Sequence, residues 1–207
     1  MFLLLVPVQI HAQDSYIGGG VKFNYSPHVY GWHEKPFNVS FYYEDIHDPP
    51  KMSDFYFGFF AEFSKHRNLA TVIDIDYGGR DYTFSVTDKR NNSPTETSGT
   101  IMMLSLAVSE KLKYGTGKFT FYSFATLRCD LNIIKSGYMD FLRQYAELHS
   151  FIPGMNLGVG ISFGKKHRVS LDIHYDFDLR NHYESTTGNI KYKGYGITLG
   201  YGFFSAL

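Results

Sequence analysis

Three segments between Met155 and Phe203 are written in the same two-residue code. One face reads Met155, Leu157, Val159, Ile161, Phe163, then Val169, Leu171, Ile173, Tyr175, Phe177, Leu179, then Tyr195, Ile197, Leu199, Tyr201, Phe203. The opposite face reads Asn156, Gly158, Gly160, Ser162, then Ser170, Asp172, His174, Asp176, Asp178, then Gly194, Gly196, Thr198, Gly200, Gly202. A period of two is the signature of an extended strand with two unlike faces. A soluble sheet turns its polar face to bulk water and favours Lys, Glu and Thr there. Glycine with clustered carboxylates instead suits a narrow closed barrel, with lipid outside and a packed polar lumen inside.

The rest of the composition agrees with one barrel. The 207 residues contain no linker-like stretch, so one domain is the simplest reading. Aromatics make up 18% of the chain, mostly 19 Phe and 17 Tyr, and there are 20 Gly; aromatic girdles and lumen glycines account for both excesses. Twenty Lys+Arg balance twenty Asp+Glu, so no net field points to nucleic acid as a partner. Cys129 stands alone, which excludes an internal disulfide framework and predicts a small outward residue near a strand end. The run Phe2-Leu3-Leu4-Leu5-Val6, with Ile10-His11-Ala12 before Gln13-Asp14, predicts that residues 1–12 are the remnant of a secretory signal and 13–207 the barrel domain. The missing basic n-region points to a start upstream of Met1, and Gln13 in place of Cys gives no support for a lipoprotein anchor. No stretch approaches the roughly 20 apolar residues of a spanning helix.

Strand-length period-two patterning falls at 16–25, 54–64, 69–87, 99–110, 117–129, 154–163, 168–180 and 190–203. Eight is even, as an up-and-down antiparallel barrel with both termini in the periplasm requires. The connections at 64–68, 113–117 and 164–167 are short, whereas 26–53, 88–98, 130–153 and 181–189 are long and polar. This alternation predicts periplasmic turns and extracellular loops. Two places open a ten-strand alternative: 36–44 also alternates, and Tyr77-Gly78-Gly79-Arg80 has hairpin chemistry. Eight is preferred because Thr71, Ile73, Ile75, Tyr77 and then Tyr82, Phe84, Val86 reverse parity across the glycine pair, as a bulge inside one strand would. On that view 37–44 is a strand-like excursion above the membrane. Ile134, Tyr138, Phe141, Leu142, Tyr145 and Leu148 recur at helical spacing and predict a short amphipathic helix in one extracellular loop, with Pro153 blocking its continuation.

The candidate site is the lumen, where alternation collects Lys22, Glu62, Asp74, Asp76, Arg128, Asp172, His174, Asp176, Asp178 and Arg180. An eight-stranded interior is barely wide enough for its own side chains, so these charges are expected to pair and plug the pore. A proton or cation site at Asp172, Asp176 and Asp178 is the sharper alternative. His28, His33, Glu34, His47 and Asp48 match no metal-ligand spacing, and no cofactor or metal site is expected. Arg180-Asn181-His182-Tyr183-Glu184-Ser185 superficially resembles the His-x-Ser-Asn stretch of the lipid A 3-O-deacylases. It departs where it matters: His182 shares a strand face with Glu184 and not with Ser185, and no Asn follows. No enzymatic fingerprint appears elsewhere, so the chain is expected not to be an enzyme.

The strand motifs carry a further likeness. Gly18-Gly19-Gly20-Val21, Phe57-Gly58-Phe59-Phe60-Ala61-Glu62-Phe63 running into a Ser-Lys turn, Gly158-Val159-Gly160-Ile161-Ser162 and the glycine-rich closing strand resemble the outer-membrane barrels of Bacteroidota, the PorT-like proteins among them. That resemblance implies an outer-membrane protein of a Gram-negative cell, in a family with a few members tied to secretion and gliding. The expected partners are outer-membrane lipid and lipopolysaccharide, the barrel-assembly machinery, and an envelope or secretion-complex protein met through 26–53 and 130–153. Ser205-Ala206-Leu207 after Phe203-Phe204 departs from the usual terminal aromatic of assembly signals. The leading expectation is a structural or partner-binding barrel; a rim lipid A hydrolase, a small-solute porin of wider bore and a soluble lipocalin-like carrier are the alternatives. The apolar outward faces of the last three strands argue against the carrier.

Overall fold

The computed structural model describes residues 15–30, 39–40, 44–46, 51–66, 68–115, 118–137, 147–184 and 189–206. Eight long strands follow one another: β1 (Tyr16–Tyr30), β2 (Lys51–His66), β3 (Leu69–Asp88), β4 (Ser93–Tyr114), β5 (Phe119–Gly137), β6 (Phe151–Phe163), β7 (His167–Asp178) and β8 (Lys193–Ala206). Each pairs antiparallel with its neighbour in sequence, and β8 returns to β1 from Tyr16↔Ala206 to Tyr25↔Ile197. The ring is closed with eight strands, and no edge is left in it. The start of β1, the end of β8 and the short β2–β3, β4–β5 and β6–β7 connections share one end of the barrel; the longer connections share the other. Gly164 makes the last of these turns with φ +113, a conformation open to glycine.

Around the lower part of the barrel the outward residues are large and apolar. On β8 the run from Tyr195 through Ile197, Leu199 and Tyr201 to Phe203 is 40–68% exposed. Nine tilted residues at about 3.3 Å each rise roughly 20–23 Å, close to the ~25 Å apolar band of a membrane barrel. β3, β4 and β5 are 20, 22 and 19 residues long, well beyond the ~9–11 that a bilayer needs. They continue as a collar above the belt, and there the code inverts.

The inversion corrects the expected bulge at Gly78-Gly79. Both ladders of β3 run without a break across the pair, through Tyr56↔Gly78, Phe55↔Gly79 and Asp54↔Arg80 on one side and Gly78↔Met103, Gly79↔Met102 and Arg80↔Ile101 on the other. Even-numbered residues of β3 therefore face inward along its whole length. Below the glycines the outward residues are Ile73, Ile75 and Tyr77, each 47–50% exposed; above them they are Asp81, Thr83, Ser85 and Thr87. Inward, Asp74 and Asp76 give way to Arg80, Tyr82, Phe84 and Val86, all at most 4% exposed from Arg80 upward. The apolar residues change face while the chain keeps its parity. β2 does the same, from outward Phe59, Phe57 and Phe55 to inward Met52; so does β4, from outward Leu106 to inward Met103 and Ile101. A register break does occur in β5, where Met103↔Asn132 is followed by Met102↔Ile134 and Ile133 is the extra residue.

Three other expectations change. The loop expected over 88–98 is a four-residue turn, because β3 and β4 pair as far as Asp88↔Ser93. Asp88 accepts the Arg90 backbone N–H at 2.9 Å, which holds its carboxyl below the usual range, and Asn92 takes φ 51. The expected helix is not confirmed: Ile134 lies in β5, Leu148 lies in a two-residue strand (Glu147–Leu148), and 138–146 fall outside the described residues. That short strand pairs with Tyr183–Glu184, which pairs with Asn189–Ile190, forming a separate three-stranded patch among the long connections. Of 36–44, the described parts join the collar: Val39–Ser40 pairs with Glu44–Ile46, which pairs with Val86–Asp88.

Candidate functional site

Glycine opposite charge is the rule that builds the lumen. Asp76 faces Gly58, Asp172 faces Gly160, His174 faces Gly196 and Arg128 faces Gly154 as direct cross-strand partners. A Cβ built on Gly154 would stand 2.8 Å from Arg128 Cζ, and one on Gly160 would stand 2.6 Å from the Tyr122 ring. The missing side chains are the space into which the charged ones fold. This is why the inward face of the sequence reads as glycine and carboxylate together.

Nine of the ten predicted lumen residues face inward, in three tiers. At the short-turn end Glu62, 4% exposed, meets Lys113 at 2.6 Å and Lys111 at 3.5 Å. In the middle Lys22 bridges Asp74 at 3.0 Å and Asp76 at 2.9 Å, His174 Nε2 lies 3.0 Å from Asp176, and Tyr122 donates its hydroxyl to Asp172. At the long-loop end Arg128 donates to Asn156 Oδ1 at 3.0 Å and to Asp178 Oδ1 at 2.5 Å, and pairs with Asp130. Arg180 is the exception. β7 ends at Asp178 and the chain bends there, with Leu179 N–H donating to the Pro153 carbonyl, so alternation no longer applies; Arg180 is exposed and meets His149 Nδ1 at 2.9 Å.

The hub of the upper tier is a residue that alternation, cut at the glycine pair, did not collect. Arg80 is fully buried and grips Asp54 with two parallel bonds, Nε to Oδ1 at 2.8 Å and Nη2 to Oδ2 at 3.0 Å. Its Nη1 donates to Asp178 Oδ2 at 3.0 Å, and its Cζ stacks 3.8 Å over the Tyr192 ring. Tyr82, Phe84, Ile101, Met103 and Ile152, all 0% exposed, fill the space around it. Asp54, Asp130, Lys111, Lys113 and Arg168 were also missed, although each shares parity with a lumen residue on its own strand. With them and Arg80 the inward face carries eight carboxylates against six Lys and Arg side chains, so a negative excess remains, though a smaller one than the nine inward candidates alone suggest. Between the upper tier and the short-turn end lies a cavity of about 100 Å³, in part open to solvent.

His182 belongs to this plug. It is 0% exposed, with Nε2 2.6 Å from Asp178 Oδ2 and in contact with Arg80 Nη1. Burial, reinforced by the Arg80 charge and opposed by Asp178, holds its imidazole below the ordinary histidine range. The hydrolase alternative needs His182 available at the rim, and here its Nε2 is committed inside. Ser185, His33, Glu34, His47 and Asp48 lie outside the described residues, as do the side chains of His28 and Glu184. Among the described residues no three His, Cys, Asp or Glu side chains converge as metal ligands.

The sequence matches no protein-family model and no curated protein. Among solved structures, the crystal structure of outer membrane protein OprG from Pseudomonas aeruginosa superimposes with a TM-score of 0.55, covering 97% of this chain and 100% of that one at 10% identity. The N-terminal β-barrel domain of Pseudomonas aeruginosa OprF matches with a TM-score of 0.43 at 11% identity, covering 93% of this chain and 100% of that one. Escherichia coli outer membrane protein W matches with a TM-score of 0.43 at 10% identity, covering 93% and 98%. At such identities the likeness to OprG is one of fold. Fold and lumen together define the class: a small, closed, eight-stranded antiparallel barrel with a charged interior.

Proposed function

We propose that this chain is an integral outer-membrane barrel of a Gram-negative bacterium, plugged at its long-loop end and serving a structural or partner-binding role in the envelope. The observation that carries the reading is the inversion of polarity on β2, β3 and β4: apolar outside and charged inside along the belt, polar outside and apolar inside along the collar. A barrel wholly in water gains nothing from a girdle of exposed Phe57, Phe59, Ile75 and Leu199, all 50–61% exposed. The tight turns and both termini then face the periplasm, and the collar with its three-stranded patch stands outside the cell. The glycine and aromatic strand motifs favour kinship with the PorT-like barrels. On this reading the barrel-assembly machinery inserts the chain, and an envelope or secretion-complex protein meets it through 26–53 and 130–153.

Outer-membrane fractionation with gel migration before and after boiling tests the proposal. The expected result is a detergent-dependent protein whose mobility changes on heating. A monomer soluble without detergent would overturn it.

A further inference from the structure

At the short-turn end of the lumen three cations meet one carboxylate. Lys113 Nζ and Lys111 Nζ lie 2.6 Å and 3.5 Å from Glu62, Tyr16 donates its hydroxyl to the same group, and Arg168 Nη1 stands 3.8 Å away, beyond hydrogen-bonding distance. Among the described residues none of the three cations has a second carboxylate within 4 Å. The other tiers differ: Lys22 has two aspartates, and Arg80 and Arg128 share Asp54, Asp130 and Asp178. The positive excess is therefore local.

The three cations rest on aromatic faces. Arg168 Cζ lies 4.1 Å from the Phe204 ring centroid and 4.6 Å from that of Tyr16, Lys113 Nζ lies 4.3 Å from Tyr16, and Lys111 Nζ lies 4.7 Å from Tyr122. Ring faces attract cations and fix their positions, but they do not neutralise them. The Arg168 guanidinium lies flat against two rings, with Nε donating to the Lys165 carbonyl at 3.2 Å and Nη1 only loosely engaged with Glu62, so its Nη edge is the one that can recognise a planar or tetrahedral oxyanion. All three side chains line the lumen cavity, with Lys111 13% and Arg168 22% exposed. They face the lumen, while the neighbouring Leu112 and Val169 face outward.

We propose that this ring binds a small soluble oxyanion, a phosphate or a carboxylate, held by Arg168, Lys111 and Lys113 in competition with Glu62. The competition sets the sign of the test. Neutralising Glu62 removes the internal counter-ion and strengthens binding; shortening Arg168 weakens it.

The experiment titrates the full chain, folded in detergent micelles, with inorganic phosphate while chloride keeps the ionic strength constant. Binding is read from the NMR shifts of the lysine Cε–Hε groups and the Arg168 Nε–Hε group, with acetate in a parallel titration to rank the two oxyanion classes. The expected result is saturation by phosphate or acetate with chloride inert, about tenfold tighter in Glu62→Gln and about tenfold weaker in Arg168→Gln. Shifts that never saturate, that chloride reproduces, or that are missing because a lysine of the ring is already deprotonated at neutral pH would overturn the proposal. So would a Glu62→Gln barrel of normal heat-modifiability that binds no more tightly than the parent.

Discussion

Arg80 has the most at stake of any single residue in this molecule. Its guanidinium is fully buried, and two carboxylates, Asp54 and Asp178, are oriented by it. Removing one partner of a buried ion pair leaves the other charge desolvated, at a cost of about 3–5 kcal/mol. Arg80→Met is therefore expected to lower stability by that amount in urea unfolding from lipid, and Asp54→Asn added to it is expected to recover part of the loss. His182 gives a pH dependence whose sign follows from its environment. Its folded-state pKa lies below the unfolded value of about 6.5, so the fold favours the neutral ring. The stability it contributes is complete above about 6.5 and is lost as pH falls below that, toward the lower folded-state pKa. NMR titration of the His182 ring is expected to show a midpoint below 6.5, and unfolding free energy is expected to drop on acidification over the same range. In His182→Gln that drop should shrink.

At the level of the strand, β3 spans both belt and collar. Ile75 and Ser85 both point outward, ten residues apart on one unbroken ladder, yet one belongs to the belt and the other to the collar. Ile75→Arg is expected to cost roughly 2–4 kcal/mol, whereas Ser85→Arg is expected to stay within about 0.5 kcal/mol, as measured by folding yield and urea midpoint in lipid vesicles. The same strand shows where the sequence was legible and where it was not. Lys22, Asp74, Asp76 and Asp172 were placed in the lumen by alternation alone, because one face is selected by lipid and the other by packing. Tyr82, Phe84 and Val86 were put on the wrong face because apolar was equated with outward above the glycines too; alternation records parity but not which solvent each face meets. Arg80 was lost with them, since an inferred bulge moved it out of the lumen. Arg180 was included for the opposite reason, by extending a period past the residue at which β7 ends. Of the residues at helical spacing, Ile134 lies in the extension of β5 beyond its bulge at Ile133, an irregularity set by pairing with β4 that no local pattern announces.

The whole molecule is a barrel with two kinds of core. Glycine and charge fill the belt, and Tyr82, Phe84, Ile101, Met103 and Ile152 fill the collar around Arg80. Because the collar core is closed to bulk solvent and Arg80 is paired with both Asp54 and Asp178, planar-bilayer recordings of the unmodified protein are expected to show no steady conductance. Large stable openings would mean that the plug yields or that the barrel is wider in lipid. The unbroken parity of β3 across a change of solvent is the claim on which the placement of belt, collar and plug depends. Its most direct test is a nitroxide scan of residues 71–87 in a Cys129→Ser background, in vesicles, comparing collisions with oxygen, which partitions into lipid, and with a water-soluble nickel chelate. Odd-numbered sites are expected to collide with oxygen as far as Tyr77 and with nickel from Asp81 onward, while even-numbered sites stay shielded from both throughout. A change of phase after Gly78, with Tyr82, Phe84 and Val86 exposed to oxygen and Asp81, Thr83 and Ser85 shielded, would contradict it.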